Sequence, residues 1–121
     1  VMFTGIVSAQ GEIKLIKKNN SYTSLSIDAP KGFAKNIKKG GSISVNGICL
    51  TIKSVHSDKL KFDVIQETLN KTNLGFLLKK SKVNLERSIK ANSEIGGHLV
   101  SGHIHGVGKV KKLSARIKPK I

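Results

Sequence analysis

Three histidines lie within one glycine-rich stretch of the chain, IGGHLVSGHIHGVGKV at residues 95–110. They are His98, His103 and His105, and imidazole is both a common metal ligand and a common proton carrier. Their spacing, His-x4-His-x-His, is not an established zinc pattern, and Cys49 is distant in the sequence. We therefore predict no metal site. On a strand, His103 and His105 would face the same side, which suits a polar pocket, although we prefer a solvated loop position for His105.

A second candidate group lies in the segment NGICLTI at residues 46–52. The preferred interpretation of Cys49 is a small buried hydrophobic residue on a strand. The alternative is a thiol that lines a pocket beside Thr51, which is two residues further on and faces the same side. Polar residues nearby in the sequence, such as Ser42 and Asp63, are ambiguous on their own. The sequence contains no defensible Ser-His-Asp order, phosphate-binding loop or GxGxxG motif, so these residues alone leave the chemistry open.

The histidines and Cys49 must be positioned by short segments in which apolar and polar residues alternate and which turn residues separate. We expect strands at 11–18 and 21–30, two strands or one bent strand within 42–56, and further strands at 58–66 and 81–89. Asn46 and Gly47 are the hinge or tight turn of the third segment. Residues 31–37 suggest one helical turn, and residues 67–75 a short helix. Strands of this length with turns about every 8–12 residues predict an all-β fold, a small closed barrel.

The net charge of +15 raises the possibility of nucleic-acid binding. Nearly all of the basic residues are scattered lysines, whereas readers of bases and phosphates favour the forked arginine side chain. The lysine-rich segments at 35–41 and 77–82 are therefore interpreted as solvated turns. Nucleic-acid-binding barrels also stack bases on aromatic side chains. The aromatic residues here are few and spread out, and we expect them in the core: Phe3, Tyr22, Phe33, Phe62 and Phe76. A basic nucleic-acid-binding barrel remains the least favoured alternative.

Length and composition limit the remaining classes. A chain of 121 residues forms at most one ordinary domain with an additional piece. No apolar run approaches the roughly 18–20 residues that span a membrane, and the start VMFTGIVSAQ lacks the basic region of a signal peptide. One cysteine excludes an internal disulfide framework. We therefore expect a cytoplasmic protein without a membrane partner.

The chain also contains an approximate internal repeat, because VSGHIHGVGKV at 100–110 resembles FTGIVSAQGEI at 3–13. With a shift of 97 positions the matching pairs are Thr4/Ser101, Gly5/Gly102, Val7/Ile104, Gly11/Gly108 and Ile13/Val110. We predict a first barrel at 1–98 and the incomplete start of a second repeat at 99–121. This second part would contribute one strand of an unfinished barrel, weakly ordered or paired with a partner.

Five motifs in order resemble one family, the α-chain type of riboflavin synthase. They are MFTGIV (2–7), SVNGICLT (44–51), FDVIQETLNKTNLG (62–75), VNLER (83–87) and GGHLVSGHI (96–104). The resemblance implies two similar six-stranded Greek-key barrels in tandem, with a short helix. It also implies dismutation of two molecules of 6,7-dimethyl-8-ribityllumazine to riboflavin and 5-amino-6-ribitylamino-pyrimidinedione, without a metal or redox cofactor. Full-length members are homotrimers and isolated first barrels form dimers, with the active site between barrels of neighbouring subunits.

The same resemblance implies the roles of individual residues. The catalytic candidates are Ser42, Cys49 and His98. The substrate-binding candidates are Gly5, Ile6, Val7, Cys49, Leu50, Thr51, Asp63, Val64, Ile65, Gln66, Glu67, Thr68, Gly102, His103 and Ile104.

The NG-x-x-L-T and ETL motifs of a second barrel do not occur after residue 99. We therefore expect the chain alone to bind a lumazine or flavin with little or no turnover. A non-catalytic lumazine- or flavin-binding relative, such as the lumazine proteins of luminescent bacteria, is the alternative. The presence of Cys49, His98 and His103 favours the synthase.

Overall fold

The computed structural model of the chain describes residues 2–89 and 99–114. These ranges contain six strands and two short helices. They are β1 (Ala9–Lys18), β2 (Tyr22–Asp28), β3 (Ser42–Val45), β4 (Ile48–His56), β5 (Lys59–Ile65), α1 (Gln66–Lys71), a 3₁₀ helix (Leu74–Phe76) and β6 (Lys82–Arg87). Neither helix within the described ranges has the length and apolar character needed to cross a membrane.

The six strands close into an antiparallel barrel in the order β1-β2-β5-β4-β3-β6. Strands β1 and β2 form one hairpin, and β3, β4 and β5 form a meander. Strand β6 lies between β3 and β1 and closes the sheet. The connections from β2 to β3 and from β5 to β6 therefore pass between non-adjacent strands, which is a Greek-key arrangement. The predicted six-stranded barrel with a short helix is confirmed.

The alternation that predicted the strands also builds the core. In β2 and β5 every second side chain is buried, and the facing pair Leu25 and Phe62 meets inside the barrel. Phe3 is also buried, as expected for an aromatic residue of the core. Phe76 was expected there too, and this prediction is wrong because its side chain is 81% exposed. Leu74 occupies the inward position of the 3₁₀ helix instead.

The segment 42–56 forms two strands joined by a tight turn at Asn46 and Gly47. Both residues have positive φ angles, 51° and 82°, which is the backbone of a type I′ hairpin and explains the Asn-Gly pair. The Asn46 side chain also accepts a hydrogen bond of 2.7 Å from the backbone N–H of Asn84 in β6. The turn therefore fixes the hairpin and ties it to the neighbouring strand.

The helix predicted over 67–75 is interrupted. Helix α1 ends at Lys71, and the Thr72 hydroxyl explains the break. That hydroxyl donates a hydrogen bond of 2.7 Å to the Thr68 carbonyl and accepts one of 3.2 Å from the Leu74 N–H. Side-chain bonds of this kind compete with the helical pattern, so the chain leaves α1 and restarts as the 3₁₀ helix.

The helical turn expected at 31–37 is a series of tight turns. The Asp58 carboxylate accepts hydrogen bonds from the backbone N–H groups of Gly32, at 3.1 Å, and Ala34, at 3.2 Å. A side chain from the β4–β5 turn thus holds these turns against the barrel.

Residues 99–114 contain one bridge residue and no strand. Val100 pairs with Phe3 through two backbone hydrogen bonds, of 2.7 Å and 2.8 Å. These two residues are 97 positions apart, which is the shift of the internal repeat. The strand predicted to begin a second barrel is therefore represented by this single bridge, and residues 115–121 lie outside the described ranges.

Candidate functional site

The first wall of the site is the outer surface where β4 begins and β5 ends. Ile48 and Leu50 are buried, so Cys49 between them projects away from the core. The preferred interpretation of Cys49 as a small buried hydrophobic residue is therefore wrong, and the alternative of a thiol that lines a pocket is the one that the structure has. Ile65 follows the buried Val64 at the end of β5 and is 56% exposed. The two-residue period of the strands therefore turns a thiol and a large apolar side chain outward near each other.

The second wall is the backbone of residues 101–104. Gly102 accepts a hydrogen bond of 2.8 Å from the backbone N–H of Cys49, and its φ angle is +77°. A Cβ atom at Gly102 would lie 2.8 Å from the Cys49 Cβ atom, so only glycine permits this approach. The contact holds His103 and Ile104 against the barrel, and the Ser101 hydroxyl accepts a hydrogen bond of 3.1 Å from the His103 N–H.

Helix α1 closes the site with Glu67, Thr68 and Lys71. The Lys71 ammonium donates a hydrogen bond of 2.8 Å to the Glu67 carboxylate. That hydrogen bond, and then the charge of Lys71, lowers the pKa of Glu67. The pair is thus an internal ion pair, and it adds no net charge to the site.

Together these elements enclose a cavity of about 250 Å³, which we name the site cavity. Its lining residues are Ile48, Cys49, Ile65, Glu67, Thr68, Lys71, Thr72, Gly102, His103 and Ile104. Ile65 and Ile104 provide apolar surface, while hydroxyl, thiol and imidazole groups can form a few directed hydrogen bonds. This composition suits a flat, uncharged molecule with hydrogen-bonding edges.

Seven residues singled out from the sequence meet in the site cavity. They are Cys49, Ile65, Glu67, Thr68, Gly102, His103 and Ile104. Sequence reasoning missed Ile48, Lys71 and Thr72. Lys71 could have been found, because a lysine four residues after Glu67 on a helix forms an ion pair with it.

Other predicted residues lie elsewhere. The side chains of Leu50 and Val64 are 5% and 1% exposed in the barrel core, so only their backbone groups can face a ligand. Thr51 and Asp63 are exposed on the outer surface of β4 and β5. Gln66 lines a separate cavity of about 510 Å³ at the end of the barrel, which we name the barrel-end cavity.

Two further cavities are lined by the substrate-binding candidates near the N-terminus and by Ser42. Gly5 and Val7 line one of about 60 Å³, and Ile6 is exposed. Gly102 lines both this cavity and the site cavity, so the two adjoin. Ser42 lines a cavity of about 240 Å³ that also contains Lys38 and Arg87.

Of the three catalytic candidates, the structure places Cys49 in the site cavity and Ser42 outside it, while His98 lies outside the described residues. His103 and His105 are both exposed, but only His103 lines the site cavity. Across residues 2–89 and 99–114, no three side chains of the His, Cys, Asp and Glu types are grouped as a metal site requires.

A polar strip adjoins Ile65 on the outer surface of the barrel. The Asp63 carboxylate accepts hydrogen bonds from the Lys53 ammonium, at 2.9 Å, and from the Ser24 hydroxyl, at 2.8 Å. The hydrogen bond from Lys53 is the main cause of a lowered pKa at Asp63, and Ser24 adds to it. Asp63 is therefore an ionised acceptor two residues before Ile65, on the same face of β5.

Comparison with known proteins identifies relatives of this arrangement. Residues 4–88 match the family model described as lumazine binding domain. The chain is 43% identical over 113 residues to a riboflavin synthase of Actinobacillus pleuropneumoniae, covering 93% of this chain and 52% of the relative. It is 44% identical over 115 residues to a riboflavin synthase of Bacillus amyloliquefaciens, covering 95% and 53%. The chain thus spans about half the length of the curated relatives it matches.

Solved structures of lumazine- and flavin-binding proteins have a similar fold. The chain superposes on LumP complexed with 6,7-dimethyl-8-(1'-D-ribityl) lumazine with a TM-score of 0.81 and 34% identity, covering 95% of this chain and 63% of that one. It superposes on LumP complexed with riboflavin with a TM-score of 0.77 and 35% identity, covering 86% and 56%.

Proposed function

The chain belongs to the lumazine-binding domain family, and we propose that it is a riboflavin synthase barrel whose site cavity binds 6,7-dimethyl-8-ribityllumazine and riboflavin. One observation carries this proposal. Seven residues from three regions that are distant in the sequence, namely β4, the β5–α1 junction and residues 102–104, converge on one cavity. These are positions at which the sequence resembles the riboflavin synthase motifs. The reaction is the exchange of a four-carbon unit between two lumazines, which gives riboflavin and a ribitylamino-pyrimidinedione.

The lining of the site cavity supports binding of a planar heterocycle. Ile65 of β5 and Ile104 of the second wall supply apolar surface on different elements, so a flat ring can be held between them. Thr68 and His103 offer side-chain hydrogen bonds to the ring edge. The Glu67–Lys71 pair keeps the net charge of the cavity low, which favours an uncharged ring.

The polar strip supports binding of the ribityl chain. Asp63 and Ser24 follow Ile65 along the outer surface of the barrel. The Asp63 carboxylate is held ionised by Lys53 and can accept hydrogen bonds from sugar hydroxyls. A ring in the site cavity would therefore direct its hydroxylated tail across Ile65 toward Asp63.

The pairing of Phe3 with Val100 supports the division of the chain into 1–98 and 99–121. Two residues at equivalent positions of a repeat, each donating to and accepting from the other, are related by a local two-fold axis. We infer that residues 99–121 begin a second copy of the barrel. In this arrangement Gly5–Val7 would form a wall of the site of the second barrel, as Gly102–Ile104 forms a wall of the site cavity of the first.

The need for two stacked substrates supports a homo-oligomer. One barrel offers one site cavity, whereas the reaction requires two rings face to face, so positioning by a second barrel is a major part of the catalysis. We propose a dimer for a first barrel alone and a trimer for a two-barrel chain. The chain alone would bind ligand and form little riboflavin.

A fluorescence titration tests the proposal. The chain is titrated with 6,7-dimethyl-8-ribityllumazine and with riboflavin, and riboflavin formation is followed in the same sample. We expect saturable binding with one site per chain. His103→Ala should weaken binding about threefold to tenfold through a lost hydrogen bond. His105→Ala is the matched control, because it removes the same group from the same segment outside the cavity.

Three outcomes contradict specific parts of the proposal. Absence of binding of either ligand refutes the family function for this chain. Equal effects of the two histidine variants refute the assignment of the site cavity. Sustained riboflavin formation by a single barrel refutes the requirement for a second one.

A further inference from the structure

The barrel-end cavity is about twice the volume of the site cavity, at about 510 Å³ against about 250 Å³. It opens where β1 ends and β2 begins, between these strands and the two short helices. Its inner surface reaches Thr23 and Leu25, which are 6% and 2% exposed. A cavity of this size that reaches the core has the dimensions of a small-molecule site.

Helix α1 separates the two cavities. Gln66, Leu69 and Asn70 line the barrel-end cavity from one face of the helix, whereas Glu67 and Lys71 line the site cavity from another. Thr72, at the end of the helix, is shared by both linings. A ligand in the barrel-end cavity would therefore occupy a place that the proposed lumazine site does not use.

The lining of the barrel-end cavity specifies the chemistry of a ligand. Leu69 and Leu77, which are half-buried, provide apolar surface beside the buried Leu25 and Leu74. Apolar surface exposed in a cavity is stabilised when an apolar molecule replaces water. Lys18 is the one charged residue in the described lining, which contains no carboxylate. An ammonium beside an apolar cavity attracts a molecule with a negative group at one end.

Phe76 extends the apolar surface at the rim of the cavity. Its ring is 81% exposed although the residue lines the cavity, so it can contact the face of an aromatic ligand. We propose that the barrel-end cavity is a second binding site, which takes a small aromatic anion with its ring among the leucines and Phe76 and its charge at Lys18. This site is independent of the proposed riboflavin chemistry.

The probe for this proposal is 8-anilinonaphthalene-1-sulfonate, an aromatic anion whose fluorescence rises in apolar surroundings. Gly75→Phe should block the site, because Gly75 lines the cavity and a Cβ atom there approaches only the Leu69 carbonyl, at 3.8 Å. We expect at least about tenfold weaker probe binding in this variant. Gly75→Ala is its control, because it leaves most of the cavity open.

A matched pair of lysine variants tests the charge. Lys18→Gln should weaken probe binding about twofold to fivefold, as expected for a partly solvated ion contact. Lys17→Gln removes the same charge from the adjacent position of β1, which does not line the cavity, and should leave binding unchanged. Equal losses in both variants would show that the probe responds only to the basic surface and would overturn the proposal.

A measurement on the unmodified chain keeps the test decisive if Gly75→Phe does not fold. In a methyl-resolved NMR titration with the probe, the signals of Leu25, Leu69, Leu74 and Leu77 should shift. Shifts confined to Ile48 and Ile104 would place the probe in the site cavity and refute the second site. Absence of methyl shifts, or shifts that accompany self-association at higher protein concentration, would also refute it.

Discussion

Replacing Gly102 by alanine tests whether the wall formed by residues 101–104 is needed for ligand binding. The added Cβ atom would lie 2.8 Å from the Cys49 Cβ atom and 2.9 Å from the Cys49 backbone nitrogen. Both atoms belong to the start of β4, which cannot retreat without disturbing the barrel. The substitution also places an L side chain at a φ angle of +77°. The segment must therefore move away from Cys49.

The size of the effect follows from the backbone strain at residue 102 and from the hydrogen bond that is lost when the segment moves. A non-glycine residue in this backbone region costs about 1–2 kcal/mol, and losing the hydrogen bond from Cys49 to Gly102 costs about 0.5–1.5 kcal/mol. A total of about 1.5–3.5 kcal/mol changes the docking equilibrium of the segment about 10- to 350-fold. If the docked state of the segment is already strongly populated, the affinity falls by less than the docking equilibrium does. We therefore expect riboflavin affinity to fall by at least about tenfold.

Riboflavin fluorescence quenching gives the affinity, and urea unfolding of the same samples gives the stability of the barrel. Gly106→Ala is the matched control, because a Cβ atom at Gly106 meets nothing within 4 Å and its backbone needs no positive φ. We expect a nearly unchanged urea midpoint for both variants, since neither residue lies in a strand. Unchanged riboflavin affinity in Gly102→Ala would refute the role of this wall. A large fall in the urea midpoint would instead make Gly102 a structural residue of the barrel.

Three further predictions concern the barrel itself. Glu86→Gln should destabilise the barrel by about 1.5–3 kcal/mol in urea unfolding. The buried Glu86 carboxylate accepts three hydrogen bonds of 2.7–3.1 Å from Thr4 and Gly5, and so anchors the N-terminal segment. An unchanged urea midpoint would refute this anchoring. Gly11→Ala should cost about 1–3 kcal/mol, because its Cβ atom would lie 2.8 Å from the Leu85 Cδ1 atom, and wild-type stability would mean that Leu85 can move. Lysine neighbours, chiefly Lys14, lower the pKa of Glu12 from 4.5 to about 2. Its contribution to stability should therefore be complete above about pH 4.5 and be lost as the pH falls toward 2, and a Glu12→Gln variant with the same acid profile as wild type would contradict this.

The barrel could be predicted from the sequence because its signals are local. Alternation along β2 and β5 marks which side chains are buried, and the Asn46–Gly47 pair marks a hairpin by its backbone requirements alone. The break after α1 was missed because it depends on the hydroxyl of Thr72, which can bond in more than one way. Phe76 was wrongly predicted to lie in the core because aromatic residues are often buried. The 3₁₀ helix directs one side chain inward, and that side chain is Leu74.

The candidate site was only partly predictable because it is assembled across the chain. Motif resemblance named Cys49 and Gly102 separately, yet their spacing in the sequence contains no sign that the two backbones touch at 2.8 Å. The two-residue period of a strand also predicts which of its side chains face outward, but it does not predict which other segment of the chain packs against them. Leu50 and Val64 belong to the motifs that carry the resemblance, but their side chains are buried in the core. The alternation that exposes Cys49 and Ile65 directs these neighbouring side chains inward. A motif therefore identifies the strand that carries a site, whereas the period of the strand decides which of its residues can meet a ligand.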